Sequence, residues 1–155
     1  MIVKVIRKQP STFSSIALPS LIELETARSW LTSPRILILT DRSLKREYCF
    51  SLFTQQQATG TSYILQWREE ASSNNAVADN FKMPVVGFVS IADVRNIVTT
   101  DTQLAFSLVL RDDSTRVLKN SGGRHSVTIV CSSELDFQRY RTYLNLLCVS
   151  LQHQQ

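Results

Sequence analysis

Glycine and proline are scarce in this 155-residue chain, at four of each, which excludes a collagen-like repeat or a proline- and glycine-rich low-complexity tract as its organising principle. Histidine is scarcer still. His125 falls at a predicted strand start and His153 in the C-terminal tail. No Cys-x-x-Cys, His-Glu-x-x-His or phosphate-binding glycine loop occurs, so neither a metal centre, a nucleophilic triad nor a nucleotide site is written in the sequence. The acidic pairs Glu69-Glu70 and Asp112-Asp113 are adjacent, which on strands turns their side chains to opposite faces and prevents joint action on one bond. The expectation is a protein that is not an enzyme and carries no metal and no cofactor. Cys49, Cys131 and Cys148 are odd in number and widely spaced, which argues against a disulfide framework and for a reducing compartment. No apolar run is long enough for a transmembrane segment, and the first twenty residues lack the apolar core of a signal peptide. A cytoplasmic protein, with peripheral membrane or cytoskeletal association, is expected.

What is present is ordinary globular material. Hydrophobic residues make up 43% and charged residues 19%, enough apolar content to exclude general disorder, and the length fits one domain with a real core. Seventeen Lys+Arg against thirteen Asp+Glu give a net charge of +4. That excess permits an anionic partner without requiring one.

Ser20 and Glu23 have the spacing of a capping box, and Leu24, Ala27 and Leu31 follow at helical intervals until Pro34, which predicts a short helix. From Arg35 the period changes. RILILTD, EYCFSLFT, TSYILQW, VVGFVSI, VRNIVTT, LAFSLVL and SVTIVCS read as seven strands, antiparallel because no spacer is long enough for a crossover helix. Residues 71–84, with their ASSNNAVADN composition, are expected to form a mobile loop. After Cys131, Ser133 can cap, Asp136 stands three residues on, and Phe137, Tyr140, Leu144, Leu147 and Leu151 share one helical face. Trp67 and Phe88, both in strand patterns, are expected in the core.

Several segments carry a family resemblance. Lys45–Leu52 (KREYCFSL), Tyr63–Arg68 (YILQWR), Val89–Val94 (VSIADV) and Ser133–Phe137 followed by Tyr140 and Leu144 come in the order and spacing of a pleckstrin homology (PH)-like domain. The leucine, spacer and tryptophan at 65–67 resemble the phospholipase C branch. The resemblance spans residues 35–152 and implies a mainly β, α+β architecture, a seven-stranded antiparallel PH-like barrel or sandwich capped by a C-terminal amphipathic helix. Residues 1–34 are then an N-terminal segment whose helix packs on the domain, and 153–155 a tail. Two positions depart from the family. Tyr140 stands where the closing helix has a tryptophan, and Tyr48 where the inositol-phosphate motif has an arginine, leaving Arg46 as half of a basic pair.

The resemblance implies a non-enzymatic protein-interaction or scaffold module whose partner is another protein, with phosphoinositide-dependent membrane adaptation as the alternative. Arg42, Lys45, Arg46 and Tyr48 are the phosphate-site candidates, through charge-assisted hydrogen bonds to phosphate oxygens. Asp41 and Glu47 lower the potential there, so affinity for anionic phospholipid should be weak. Arg116, Lys119 and Arg124 form a second basic group around Gly122-Gly123. Trp30, outside the strands, is the candidate partner anchor. Nucleic acid is disfavoured, because no strand alternates aromatic and basic residues as a single-strand platform does.

Overall fold

The computed structural model describes residues 18–41, 44–69, 84–111 and 126–153. The first helix, α1, spans Leu21–Thr32. Its capping box is formed in both directions: Ser20 Oγ accepts from the Glu23 amide at 3.1 Å and Glu23 Oε1 accepts from the Ser20 amide at 2.9 Å. Two donors that the first turn would otherwise leave unpaired are thereby satisfied. The other end is tied to the sheet by Arg35. Its Nη1 donates to the carbonyl oxygens of Trp30 and Ser33 at 2.6 and 3.0 Å, a cation at a helix C-terminus where the dipole favours it.

Seven antiparallel strands follow: β1 Arg35–Asp41, β2 Leu44–Gln57, β3 Gly60–Arg68, β4 Val85–Ser90, β5 Val94–Thr100, β6 Ala105–Leu110 and β7 Ser126–Val130. They lie in the order β4-β3-β2-β1-β7-β6-β5. A β1–β7 pairing, with Leu39 opposite Ile129, joins the first four strands to the last three. The closing helix, α2, spans Glu134–His153 and is started by Ser133, whose Oγ accepts from the Asp136 amide at 3.1 Å. This is a mainly β, α+β molecule with a seven-stranded antiparallel sheet and a C-terminal helix, an element order consistent with a PH-like fold.

The strands' two-residue period sorts side chains between core and exterior. On the inner face, Leu37 and Leu39 of β1, Tyr48, Phe50 and Leu52 of β2, and Leu65 and Trp67 of β3 join Phe106, Leu108 and Ile129 in one cluster. Helix α2 closes that cluster with Phe137, Tyr140, Leu144 and Leu147, all essentially inaccessible. Each fully buried side chain of this size contributes on the order of 1.5–3 kcal/mol through lost apolar exposure. Tyr140 fills the position where the resemblance calls for tryptophan. It stacks on Phe106 at 5.7 Å and meets Trp30 edge-on at 4.9 Å, but its hydroxyl has no hydrogen-bond partner. Burial pushes that phenol's pKa well up, with the nearby Arg35 guanidinium acting in the opposite direction.

The structure departs from the sequence reading in three places. Strand β2 runs three residues further at each end than EYCFSLFT, so Lys45 and Arg46 lie within the strand. Phe88, expected in the core, is 37% exposed, because Gly87 takes the inward position under Trp67. A methyl group on Gly87 would stand 2.5 Å from the indole ring, so the alternation leaves Phe88 facing out. Leu104 ends a 3-10 turn at Asp101–Gln103 in a left-handed conformation, φ 53°, rather than starting β6. Its side chain packs against the core cluster, which offsets the strain of that conformation. None of the three cysteines is in a disulfide and all are buried, and burial pushes the Cys131 and Cys148 thiols up to about 12. The 71–84 loop lies outside the described residues except for Pro84.

Candidate functional site

Arg46 and Tyr48 are the two phosphate-site candidates that the structure brings together. The Arg46 guanidinium lies over the Tyr48 ring at 5.3 Å and also faces Glu69, Nη2 to Oε1 at 3.4 Å. Lys45 is exposed but, as Arg46's neighbour on β2, is directed to the opposite face of the sheet. Tyr48 opposes Leu37 and is only 2% exposed. Its ring is a core element, and an arginine in its place would carry a guanidinium into the apolar cluster. Arg42, Arg116, Lys119 and Arg124 lie outside the described residues. Among the described residues, then, the half-motif places one guanidinium at the rim of the core, beside a carboxylate.

Trp30 is half-buried and sits at the junction of α1 with α2. Tyr140 and Tyr143 approach it from α2 at 4.9 and 5.6 Å, and the Arg35 guanidinium covers its ring at 3.5 Å. The indole therefore docks the helix on the domain while part of its surface stays open to solvent.

The feature that sequence reasoning missed is the other flank of α1. Leu18, Leu21 and Ile22 are 60%, 84% and 79% exposed; at about 100° per residue, Leu21 stands well round the helix from Ala27, beyond the stripe of Leu24, Ala27 and Leu31. The packed part of the helix begins at Leu24, half-buried against the core, and continues through the buried Ala27 and Leu31. Two surface grooves flank the helix. One, of about 520 Å³, lies between Leu21, Ile22, Leu24, Glu25 and Arg28 on one side and Thr54, Gln56, Thr61 and Tyr63 of the β2–β3 hairpin on the other. The second, of about 530 Å³, lies between α1 and α2, lined by Trp30, Ser29, Arg139 and Tyr143 among others.

Among the described residues, no three His, Cys, Asp or Glu side chains gather where they could hold a metal ion. No described helix is long and apolar enough to cross a membrane. In comparisons with known proteins, no family model and no curated protein matches the chain.

Proposed function

We propose that this chain is a non-catalytic protein-docking module of PH-like fold, with the phospholipase C branch as its nearest pattern, and that it presents α1 to a protein partner. The supporting observation is the exposure of Leu18, just ahead of the cap, and of Leu21 and Ile22 on the first turn of a helix that is capped and anchored. Neighbouring apolar side chains left in water beside a groove mark a contact surface more often than an accident of packing. The helix is already capped and tied to the sheet, so a partner meeting it pays little ordering entropy. The phosphoinositide alternative has less support, because Arg46 shares its charge with Glu69 and Lys45 points away from it.

The test compares the parent with a Leu21→Asp/Ile22→Asp double variant. Partners recovered by proximity labelling with the parent would be purified and titrated against both proteins. At least tenfold weaker binding by the variant, with unchanged melting, is the expected result, since two apolar contacts at the centre of an interface are each worth about 1 kcal/mol or more. Equal binding by the two proteins would sink the reading. So would saturable sedimentation with phosphoinositide vesicles that Arg46→Ala abolishes.

A further inference from the structure

The sheet ends in two edges that are guarded differently. Among the described residues, the outer strands β4 and β5 each pair with one neighbour only, so backbone donors and acceptors along their other sides have no ladder partner. Strand β4 begins directly after Pro84, and its pairing with β3 shifts register at Trp67/Arg68. A proline and a bulge both discourage the addition of another strand. Strand β5 has its register shift at its start, between Val94 and Asn96. Beyond that point residues 97–100, IVTT, contain no charge, no proline and no shift. Asn96, Val98 and Thr100 are exposed on one face, Val98 to 49%. An extended, β-branched segment with one side of its backbone unpaired is matched chemically by another strand.

We infer that β5 pairs antiparallel with β5 of a second copy of this chain, joining the two sheets across a two-fold axis at Val98. An axis perpendicular to the sheet keeps outward residues opposite outward ones and inward residues opposite inward ones. Centred on Val98, it sets Val98 against Val98, Asn96 against Thr100 and Ile97 against Thr99, and it brings Arg95 of each copy to Asp101 of the other. Asp101 is 68% exposed beside its 3.8 Å contact with Arg141, which leaves it open to a second cation. Centring on Ile97 would instead oppose Asp93 to Asp101, and centring on Thr99 would oppose Asp101 to Ile97. Opposite charges across a strand pair stabilise it and like charges do the reverse, so the edge is complementary to itself in the Val98 register. That complementarity selects a second copy as the occupant. The contact uses none of the α1 residues proposed for docking, so the two readings stand or fall separately.

Sedimentation equilibrium of the full chain over roughly 1–500 μM, the range suited to a small interface, should show a reversible dimer. Amide exchange at residues 97–100 should slow as concentration rises. Val98→Lys and Val98→Glu should each weaken association about tenfold with unchanged melting, because each sets like charges directly opposite across the axis. An equal mixture of the two variants should recover the parent's association, since lysine then faces glutamate, and only the register centred on Val98 gives that recovery. The Leu21→Asp/Ile22→Asp variant should dimerise as the parent does. A parent that stays monomeric throughout overturns the inference, as does exchange at 97–100 that ignores concentration or a mixture that associates no better than its components. A dimer lost in the Leu21→Asp/Ile22→Asp variant would move the contact to α1 and equally overturn it.

Discussion

The two helices use the same sequence device to different ends. Both start at a serine whose hydroxyl caps the first turn, and both carry an apolar stripe. Helix α2 commits its stripe to the interior, from Phe137 through Tyr140 and Leu144 to Leu147 and Leu151. Helix α1 buries Ala27 and Leu31 at its C-terminal half and leaves Leu21 and Ile22 in water. An apolar side chain inside the core adds stability in proportion to the area it hides, whereas one outside adds almost none and remains available to another molecule. The contrast separates residues that hold the fold from residues that are free to serve it.

Substitutions along the two helices should separate in that way. Tyr140→Ala should be the most damaging, costing about 3–5 kcal/mol, since it empties the space between Phe106 and Trp30. Denaturant unfolding checks this, and a variant as stable as the parent would remove α2 from the core. Tyr140→Phe is the sharper control. It removes a buried hydroxyl that has no partner, so its unfolding midpoint should equal or exceed the parent's.

Gly87→Ala should rank next, at about 1–3 kcal/mol, because the added methyl must displace the buried Trp67 ring. A stable variant with unchanged near-ultraviolet circular dichroism would mean that the indole has room to move. Ser20→Ala should cost about 1 kcal/mol through loss of the cap. The effect should be confined to α1, so hydrogen exchange should quicken in its first turn and leave α2 unchanged. At the bottom of the scale, Leu21→Ser with Ile22→Ser should shift unfolding by less than about 0.5 kcal/mol, as surface changes do. A larger loss would show that the first turn of α1 is already covered within the protein, and the comparison of the helices would collapse.

Much of the fold was legible because burial on one face of a strand or helix leaves a period in the sequence. Leu37 and Leu39, Phe50 and Leu52, and Leu65 and Trp67 alternate as inward residues must, and Phe137, Tyr140 and Leu144 repeat as one helical face must. Phe88 was misread as core because hydrophobicity was weighed above phase. Its neighbours Gly87 and Val89 hold the inward positions, and the small residue is there because an indole lies over it. Tyr48 shows the opposite difficulty. Alignment with a basic motif offered it as part of a ligand face, but its phase, shared with Phe50 and Leu52, carries it into the core. Phase also separates Lys45 from Arg46, which no count of basic residues reveals.

By itself the sequence determined what local chemistry controls: the caps at Ser20 and Ser133, the strand and helix periods, and the scarcity of histidine, glycine and proline. These depend on residues within one or two turns of each other or on composition alone. Only the tertiary structure decided how far along α1 the packing surface reaches. Leu21 and Leu24 are neighbours three residues apart on the helix surface, yet Leu21 is 84% exposed and Leu24 packs against the core cluster. It also decided that Arg139 and Tyr143 on α2 stand across a groove from Trp30, more than a hundred residues earlier in the chain. Burial is a property of what arrives from elsewhere in the chain, and periodicity records only which side of an element is ready to receive it.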